Sequence, residues 1–219
     1  MCGRFVLSAS PQAIAEYLNS APPEPYAPRY NIAPTQPLLA RTRQALTHLR
    51  WGLVPAWSKD PSIGARLFNA RSETVAEKPS FRNAYRRRRC LIPATGFYEW
   101  RREGERKQPY FCHLGQRMFA FAGIWELWQD GDGNELRSCA LLTAPAEGPI
   151  AEIHERMPVA IDDTLHSLWM DHRDESTARA EACIADRVRD FEFYPVGTRV
   201  NYAGNEGPEL IRPWEGETG

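Results

Sequence analysis

The sequence has no uninterrupted apolar stretch of the ~18 residues that a membrane-spanning helix requires. Its N-terminus also lacks the charged segment followed by an apolar one that marks an export signal. Neither membrane insertion nor export is indicated, so we expect a cytoplasmic protein. Because 42% of the 219 residues are hydrophobic, the chain can bury a sizeable core, and we expect a single domain over residues 1–219.

Cysteine is scarce, with five scattered residues, no C-x-x-C pair and no histidines at ligand spacing. These features argue against a disulfide scaffold and against a structural zinc site, and we expect neither a metal nor a cofactor. Cys90, Cys112, Cys139 and Cys183 are expected to be reduced, small apolar residues. Cys2 differs from them because it directly follows the initiator methionine.

The formal net charge of −1 is too small to indicate a nucleic-acid partner by itself, but the charge is unevenly spread. Residues 41–110 hold 16 Lys and Arg against 6 Asp and Glu, whereas the rest of the chain holds 11 against 22. Lysine is rare, since 24 of the 27 basic residues are arginine, whose guanidinium suits bidentate phosphate contacts. The basic middle therefore favours a polyanion-binding face. The alternative is that Arg86–Arg89 is only a solvated helix end.

Secondary-structure patterns predict an α+β fold. The prolines between residues 21 and 37 exclude a helix there, whereas Ser10 followed by Pro11 predicts a short helix. Residues 72–86 resemble two helical turns broken at Pro79, and further helices are expected at residues 164–170 and 176–188. Strands joined as antiparallel hairpins, with another strand at residues 191–196, are predicted for CLIP, GFYEWRR, PYFCHL, MFAFAGIWELW and ELRSCALLT. A curved antiparallel sheet flanked by helices is the expected core.

Cys2 suggests specific chemistry, because a small second residue usually allows removal of Met1. Cys2 would then carry a free α-amine beside its thiol. The amine has a pKa of about 7.7–8.0 against about 10.4 for lysine, so far more of it is neutral and nucleophilic at pH 7. An aldehyde would condense with this amine, and the thiol could close a thiazolidine ring on the imine carbon. The alternative is an incidental buried or frayed thiol.

Two segments carry candidate polar partners for such chemistry. In LFNARSET, an extended conformation puts Asn69 and Arg71 on one side, where the amide could orient a sugar oxygen and the guanidinium could hold a phosphate. In GFYEW, aromatic neighbours would raise the pKa of Glu99 and suit it to proton transfer. The plainer alternatives are that Asn69 lies in a turn, that Arg71 is a surface charge and that Glu99 is an outward-facing carboxylate on a strand.

Histidine and tryptophan provide further candidates. EIHERMPV places His154 and Arg156 just before Pro158, in an expected loop, where a histidine with a pKa near ~6.5 can exchange protons at neutral pH. In RWGLVPAW, either Trp51 or Trp57 could stack on an unpaired base, although Trp51 is better explained by core packing.

Taken together, these motifs resemble one family. The segments MCGRF, YNIAPTQ, RWGLVPAW, FNARSET, RRCLIPATGFYEW and HERMPV occur in this order. They closely resemble those of the SRAP family, the SOS-response-associated peptidases or abasic-site-processing proteins. The resemblance spans nearly the whole chain. It implies a single SRAP-type domain with a barrel-like β core flanked by helices.

The resemblance also implies a function, namely covalent capture of abasic sites in single-stranded DNA as a thiazolidine. In the family pattern Cys2 is the nucleophile, Asn69 orients the abasic sugar, Glu99 is the stabilising carboxylate and His154 is the acid/base for sugar opening. The residues that fall where the family contacts DNA are Arg4, Asn31, Pro34, Trp57, Arg71 and Arg156. We expect a monomer associated with the nucleoid, and the replication machinery is a further candidate partner.

Some features depart from the pattern or receive no role. Ser58 follows Trp57 where some family members carry a second aromatic residue, so the stacking wedge is expected to be smaller. TRVNYAGNEGPELIRP, residues 198–213 and here called the closing segment, resembles the end of the family domain and is assigned no function.

Three alternative functions remain open on the sequence alone. N-terminal-nucleophile amidohydrolases also begin Met-Cys-Gly, but no further motif of that class follows. The second alternative is a peptidase that removes its own Met1, and the third is a noncatalytic binder of single-stranded DNA.

Overall fold

The computed structural model describes residues 2–172 and 177–214. Two β layers dominate it, and short helices lie around them. The strands are β1 (Phe5–Leu7), β2 (Arg29–Ile32), β3 (Pro37–Arg41), β4 (Leu46–Trp51), β5 (Asn69–Arg71), β6 (Arg89–Ala94), β7 (Gly96–Glu103), β8 (Arg106–His113), β9 (Phe119–Gln129), β10 (Glu135–Pro145), β11 (Arg156–Pro158), β12 (Ala160–Ile161) and β13 (Glu192–Pro195). The helices are α1 (Pro11–Tyr17), α2 (Arg82–Arg87), α3 (His166–Trp169) and α4 (Ala178–Ala185).

One layer is a closed five-stranded barrel. Its strands pair in the order β10–β4–β3–β6–β9, and β9 pairs with β10 to close the ring. The expected barrel-like core is therefore confirmed. Not every pairing is antiparallel, because β10 runs parallel to β4. These two strands are far apart in sequence, so the connection between them is long enough to allow a parallel pair.

The second layer is an antiparallel sheet in the order β13–β8–β7–β1–β2. It packs on the barrel through a cluster of edge-to-face aromatic rings. Phe5 of β1 lies 5.4 Å from Trp51 and 5.6 Å from Phe121, measured between ring centroids. All three side chains are buried. Each such burial contributes about 1.5–3 kcal/mol, so this contact fixes the N-terminal strand against the barrel.

The length of β10 brings separate segments of the sequence together. On one edge it pairs with β4 at Ser138 and Cys139, and then with β5 at residues 141–143. Beyond its pairing with β9, it pairs with β11 at residues 143–145. The FNARSET and HERMPV motifs therefore meet at the C-terminal end of one strand.

The structure confirms most of the predicted elements. Helix α1 begins as expected, since the Ser10 side chain accepts a hydrogen bond from the Ala13 N–H. All five predicted hairpin strands form, and Trp51 is buried in the core. The prediction for residues 176–188 is confirmed for Ala178–Ala185. Part of that prediction, Ser176, lies outside the described residues.

Two predictions about the first half of the chain were incomplete. Residues 72–77 form turns, in which the Lys78 N–H donates one helix-type hydrogen bond to the Thr74 carbonyl, and α2 begins at Arg82, after Pro79. The proline-rich stretch contains strand β2 between Pro28 and Pro34. The pattern missed this strand because its four residues, RYNI, are too few for their alternation to be distinctive.

The arginine run is divided among different roles. The Arg89 guanidinium is buried and donates hydrogen bonds to the backbone carbonyls of Tyr85 and Trp169. Arg88 forms an ion pair with Glu126, with 2.5 Å between nitrogen and oxygen. Arg86 and Arg87 lie exposed in the last turn of α2. The solvated-helix-end interpretation therefore fits only Arg86 and Arg87.

Candidate active site

A cavity of about 560 Å³ opens between the antiparallel sheet and the closing segment. Acidic, basic and aromatic side chains all face it. Its lining consists of Arg4, Glu99, Trp100, Arg102, Lys107, His154 and Asn201. Three of the predicted site residues thus meet at one cavity, although they lie far apart in the sequence.

Cys2 is fully buried, lies three residues before β1, and interacts electrostatically with the cavity-lining Glu99. The Asn69 side chain donates a hydrogen bond from Nδ2 to the Cys2 carbonyl oxygen, at 2.7 Å. Burial raises the pKa of the Cys2 thiol, and the nearby Glu99 carboxylate raises it further. The thiol is therefore protonated at neutral pH. A nucleophilic thiolate would need a base beside it.

Of the two polar atoms in the Asn69 side chain, only Nδ2 has a hydrogen-bond partner among the described residues. Its Oδ1 is buried and has no hydrogen-bond partner among residues 2–172 and 177–214. An unpaired buried amide oxygen costs free energy unless a ligand supplies a donor. Arg71, two residues on, is exposed and lies in the same short strand, as expected from the extended conformation.

Glu99 is a buried carboxylate, with only 1% of its surface exposed. Burial raises its pKa to about 7. A carboxyl group with a pKa near the working pH can both accept and donate a proton efficiently. The prediction that the pKa of Glu99 is raised is therefore confirmed, and the alternative of an outward-facing carboxylate is wrong.

His154 lies between a short 3-10 helix and β11 and faces the cavity. Its Nδ1 accepts a hydrogen bond from the Arg156 backbone N–H at 2.9 Å. With Nδ1 accepting this bond, the neutral ring carries its proton on Nε2, whereas the contact of the same Nδ1 with the Arg156 carbonyl oxygen at 3.2 Å belongs to the other tautomer. Burial lowers the pKa of His154 below its ordinary value, so the ring is neutral at pH 7. Nε2–H is the group that can donate a hydrogen bond to a substrate oxygen.

The side chains of Arg4 and Asn31 hold the closing segment in place. The Arg4 guanidinium donates to the carbonyls of Val200 and Asn201. Asn31 is fully buried, and its Nδ2 donates to the carbonyls of residues 200, 202 and 205 at 3.0–3.3 Å. Each such bond contributes about 0.5–1.5 kcal/mol, so these two side chains fix one wall of the cavity.

Arg156 is also committed to partners within the chain. Its guanidinium makes a two-pronged ion pair with Glu73 and donates to the Thr143 carbonyl at 2.7 Å. The Arg156 side chain lowers the pKa of Glu73 to about 2. Direct contact of Asn31 or Arg156 with DNA stays a prediction, and the structure gives both residues positioning contacts.

The remaining predicted DNA contacts lie outside the cavity lining. Trp57 is 61% exposed, in a turn after β4. Pro34 is partly buried between β2 and β3. The surfaces of Trp57 and Arg71 are free to meet a strand that extends beyond the cavity, but their contact with DNA stays a prediction.

Sequence reasoning missed four of the lining residues, namely Trp100, Arg102, Lys107 and Asn201. Arg102 and Lys107 are opposite each other across the β7–β8 hairpin. Two like charges in this position repel each other, which favours an anion between or beside them. The signal available in the sequence was RREGERKQ, where basic residues flank a glycine turn at equal distances.

The described residues hold neither a metal-binding cluster nor a membrane-spanning helix. Residues 2–172 and 177–214 contain no group of three or more His, Cys, Asp or Glu side chains placed to hold a metal ion. In that same part of the chain, no helix is long and apolar enough to cross a membrane.

Comparisons with known proteins agree with this architecture. The chain is 38% identical to abasic site processing protein YoqW of Bacillus subtilis over 221 residues, covering 96% of this chain and 99% of that protein. It is 33% identical to abasic site processing protein HMCES of Gallus gallus over 199 residues, which cover 80% of this chain and 59% of the longer relative.

Solved structures share the fold. A protein from Bacteroides thetaiotaomicron superimposes with a TM-score of 0.85 at 22% identity, covering 97% of this chain and all of that one. A phage-related protein from Bordetella bronchiseptica superimposes with a TM-score of 0.72 at 31% identity, over 89% of this chain and 94% of that one. The family model for SOS response associated peptidase (SRAP) matches residues 1–203. The chain therefore belongs to the SRAP family.

Proposed function

We propose that this protein recognises abasic sites in single-stranded DNA and captures them covalently through Cys2 after Met1 has been removed. The relatives named abasic site processing proteins support the substrate class. The observation that carries the chemical proposal is the grouping of Cys2, Asn69 and Glu99. Asn69 holds the Cys2 carbonyl, and Glu99 has a pKa of about 7 and acts electrostatically on the Cys2 thiol.

Removal of Met1 is a chemical requirement of this proposal. While Met1 is attached, the Cys2 nitrogen is an amide, which has no basic lone pair to attack an aldehyde. Once free, the amine attacks C1′ of the ring-opened sugar to give a carbinolamine, which loses water to form an imine. The thiol sulfur then adds to the imine carbon while its proton moves to the nitrogen. The net result is one C–N bond, one C–S bond and one released water molecule.

Glu99 serves the proton transfers around the amine and the thiol in this proposal. As a carboxylate it accepts a proton from the Cys2 ammonium or from the thiol, and as a carboxylic acid it protonates the departing hydroxyl of the carbinolamine. Because its pKa lies at about 7, both forms are present at neutral pH. Catalysis of this kind contributes typically about 10²–10⁴-fold to a rate.

Asn69 and His154 act on the sugar. The buried Asn69 Oδ1 offers an acceptor to a sugar hydroxyl, which would give this oxygen the donor it lacks among the described residues. An abasic deoxyribose is mainly a closed hemiacetal, so exposing its aldehyde breaks the bond from C1′ to the ring oxygen, delivers a proton to that oxygen and removes one from the anomeric hydroxyl. The Nε2–H of His154 is directed by the Arg156 bond to serve as that donor.

Arg102 and Lys107 extend the proposal to the DNA backbone. Both line the cavity and repel each other across the hairpin. A phosphate placed beside them would relieve that repulsion.

We therefore expect Arg102→Ala to weaken binding of single-stranded oligonucleotides of any sequence and to reduce the slope of log affinity against log salt by about 1. Fluorescence anisotropy at several salt concentrations measures both quantities. Arg101→Ala is the matched control, because Arg101 is the neighbouring residue and is bound to Glu103 at 2.5 Å. Equal losses in the two variants would contradict a specific phosphate contact by Arg102.

The role of His154 can be separated from general damage to the site. We expect His154→Ala to slow adduct formation about 100-fold on closed-ring abasic DNA, because ring opening loses its proton donor. Capture of an oligonucleotide with a permanently free aldehyde should slow by no more than about threefold, since that substrate needs no opening. Single-turnover rates of wild type and His154→Ala on both substrates measure the two effects. An equal slowdown on each substrate would contradict the sugar-opening role.

The proposed function as a whole is tested by a denaturing gel. Purified protein is mixed with abasic, intact and mismatched single-stranded oligonucleotides. A band that resists denaturant with the abasic strand only supports covalent capture, whereas binding without such a band indicates a noncatalytic DNA binder. Intact mass spectrometry of the same preparation shows whether Met1 is absent, and full retention of Met1 would contradict the proposal. Release of Met1 from purified, unprocessed protein would show self-directed peptidase action.

A further inference from the structure

We propose that Tyr202 is a stacking platform for a nucleobase that flanks the captured abasic site. This inference rests on the proposed function and assigns a role to the closing segment. Tyr202 directly follows Asn201, which lines the cavity. Its side chain is 72% exposed, more than any other large hydrophobic side chain in the described residues.

The backbone under Tyr202 is unusually well fixed for an exposed loop. The Tyr202 carbonyl accepts a hydrogen bond from the buried Asn31 side chain at 3.0 Å. The neighbouring Asn201 accepts from Arg4 at its carbonyl, and from the Trp100 indole N–H at its side-chain oxygen. These bonds join the loop to the residue directly before β1, to β2 and to β7. The position of Tyr202 relative to the cavity is therefore set before any ligand arrives, which lowers the entropic cost of binding.

Gly204 supports one side of the Tyr202 ring. A Cβ atom added at Gly204 would lie 2.6 Å from the ring atom Cε1 and 3.1 Å from Cζ. The ring therefore rests directly against this glycine, a position that a larger residue would deny it. The glycine and the tyrosine together hold an exposed aromatic ring on the residue that follows the cavity-lining Asn201.

The Tyr202 side chain has no other evident use. It belongs to neither buried cluster of the described residues. Within residues 2–172 and 177–214 its hydroxyl makes no hydrogen bond, whereas the Tyr98 and Tyr194 hydroxyls each donate to a backbone carbonyl. A fixed, exposed aromatic ring beside a single-strand site provides the surface on which bases stack irrespective of sequence.

The test uses single-turnover adduct formation across a range of DNA concentrations. We expect Tyr202→Ala to raise the half-saturating DNA concentration about tenfold and to leave the maximal rate unchanged, because stacking contributes to binding rather than to chemistry. Tyr202→Phe should behave as wild type. Gly204→Ala should reproduce much of the Tyr202→Ala effect, because its Cβ displaces the ring. Trp214→Ala removes another exposed aromatic ring of the C-terminal region and serves as the control.

A second set of substrates identifies the base. Two oligonucleotides are compared. One carries a baseless spacer in place of the 5′ neighbour of the abasic site, and the other carries it in place of the 3′ neighbour. Wild type should lose about tenfold in affinity for one of the two spacer substrates. Tyr202→Ala should bind that substrate and its parent equally. Unchanged half-saturation in Tyr202→Ala, or equal losses on every substrate, would overturn the proposal. Thermal unfolding shows that the variants remain folded.

Failure of this inference is distinct from failure of the proposed function. If wild type forms no adduct, the covalent proposal fails. Anisotropy with the same spacer oligonucleotides still measures the Tyr202 contribution to binding. If wild type forms the adduct and Tyr202→Ala binds normally, only the stacking inference fails.

Discussion

Cys2→Ala is expected to abolish the denaturant-resistant adduct completely, because no sulfur remains to close the ring on the imine carbon. Both Cys2→Ala and Cys2→Ser retain the α-amine and should form only a reversible imine, which is seen on the gel after borohydride reduction and not before it. A denaturing gel of each variant with abasic single-stranded DNA, with and without borohydride, measures both outcomes.

The controls separate chemistry from folding. Cys139→Ala removes another fully buried thiol, in β10, and should leave the adduct intact. Thermal unfolding of the Cys2 variants should show a folded protein, since serine and alanine are no larger than the cysteine they replace. A heat-stable adduct formed by Cys2→Ala without borohydride would place the nucleophile elsewhere in the chain.

Glu99→Gln is expected to slow adduct formation by about 100-fold or more at pH 7, because it removes a group that both accepts and donates protons. The wild-type rate should rise with pH through about 7, as Glu99 ionises. In Glu99→Gln, the plot of rate against pH should lose its inflection at about pH 7. A second inflection from the α-amine, at about pH 7.7–8.0, should remain. Single-turnover rates from acidic to alkaline pH measure both inflections.

The pH dependence of the unfolding free energy provides an independent test of the raised pKa of Glu99. Because burial raises the folded-state pKa of Glu99 from 4.5 to about 7, its contribution to folding is fully present below pH 4.5 and is lost as the pH rises through about 7. Glu99→Gln should therefore remove part of the decline in unfolding free energy with rising pH. Glu103→Gln, on the exposed end of the same strand, is the matched control. A rate profile unchanged in Glu99→Gln would contradict the catalytic role.

The sequence predicted the grouping of site residues only through resemblance. Composition and periodicity predicted the long strands β6 to β10, because their apolar and aromatic residues have strong local preferences for strand. Strand β2 escaped detection, since it has only four residues and its pairing partner β1 lies in a distant part of the sequence. Residues 72–77 form turns and not a regular helix, because Pro79 disfavours helical geometry at Lys78 and ends the segment after one helix-type hydrogen bond.

The hydrogen bonds that fix the cavity wall could not be predicted from the sequence motifs. Arg4 and Asn31 were assigned to DNA by motif, yet their hydrogen-bond partners lie about 170–200 residues away in the closing segment. Nothing local in MCGRF or YNIAPTQ specifies those carbonyls as partners. Similarly, RREGERKQ shows the basic residues but not that Arg102 and Lys107 face the same cavity as Glu99.

By itself, the sequence determined the α+β class, the family and the reactive pair of groups that Cys2 would carry, because these depend on local residue order and on intrinsic chemistry. Only the tertiary structure decided the pKa of Glu99, the contacts of His154 Nδ1 with the Arg156 backbone, the anchoring of the closing segment and the exposure of Tyr202. Each of these depends on desolvation or on a hydrogen bond between atoms brought together by chain folding. Burial and long-range pairing are properties of the packed molecule, so no local pattern encodes them.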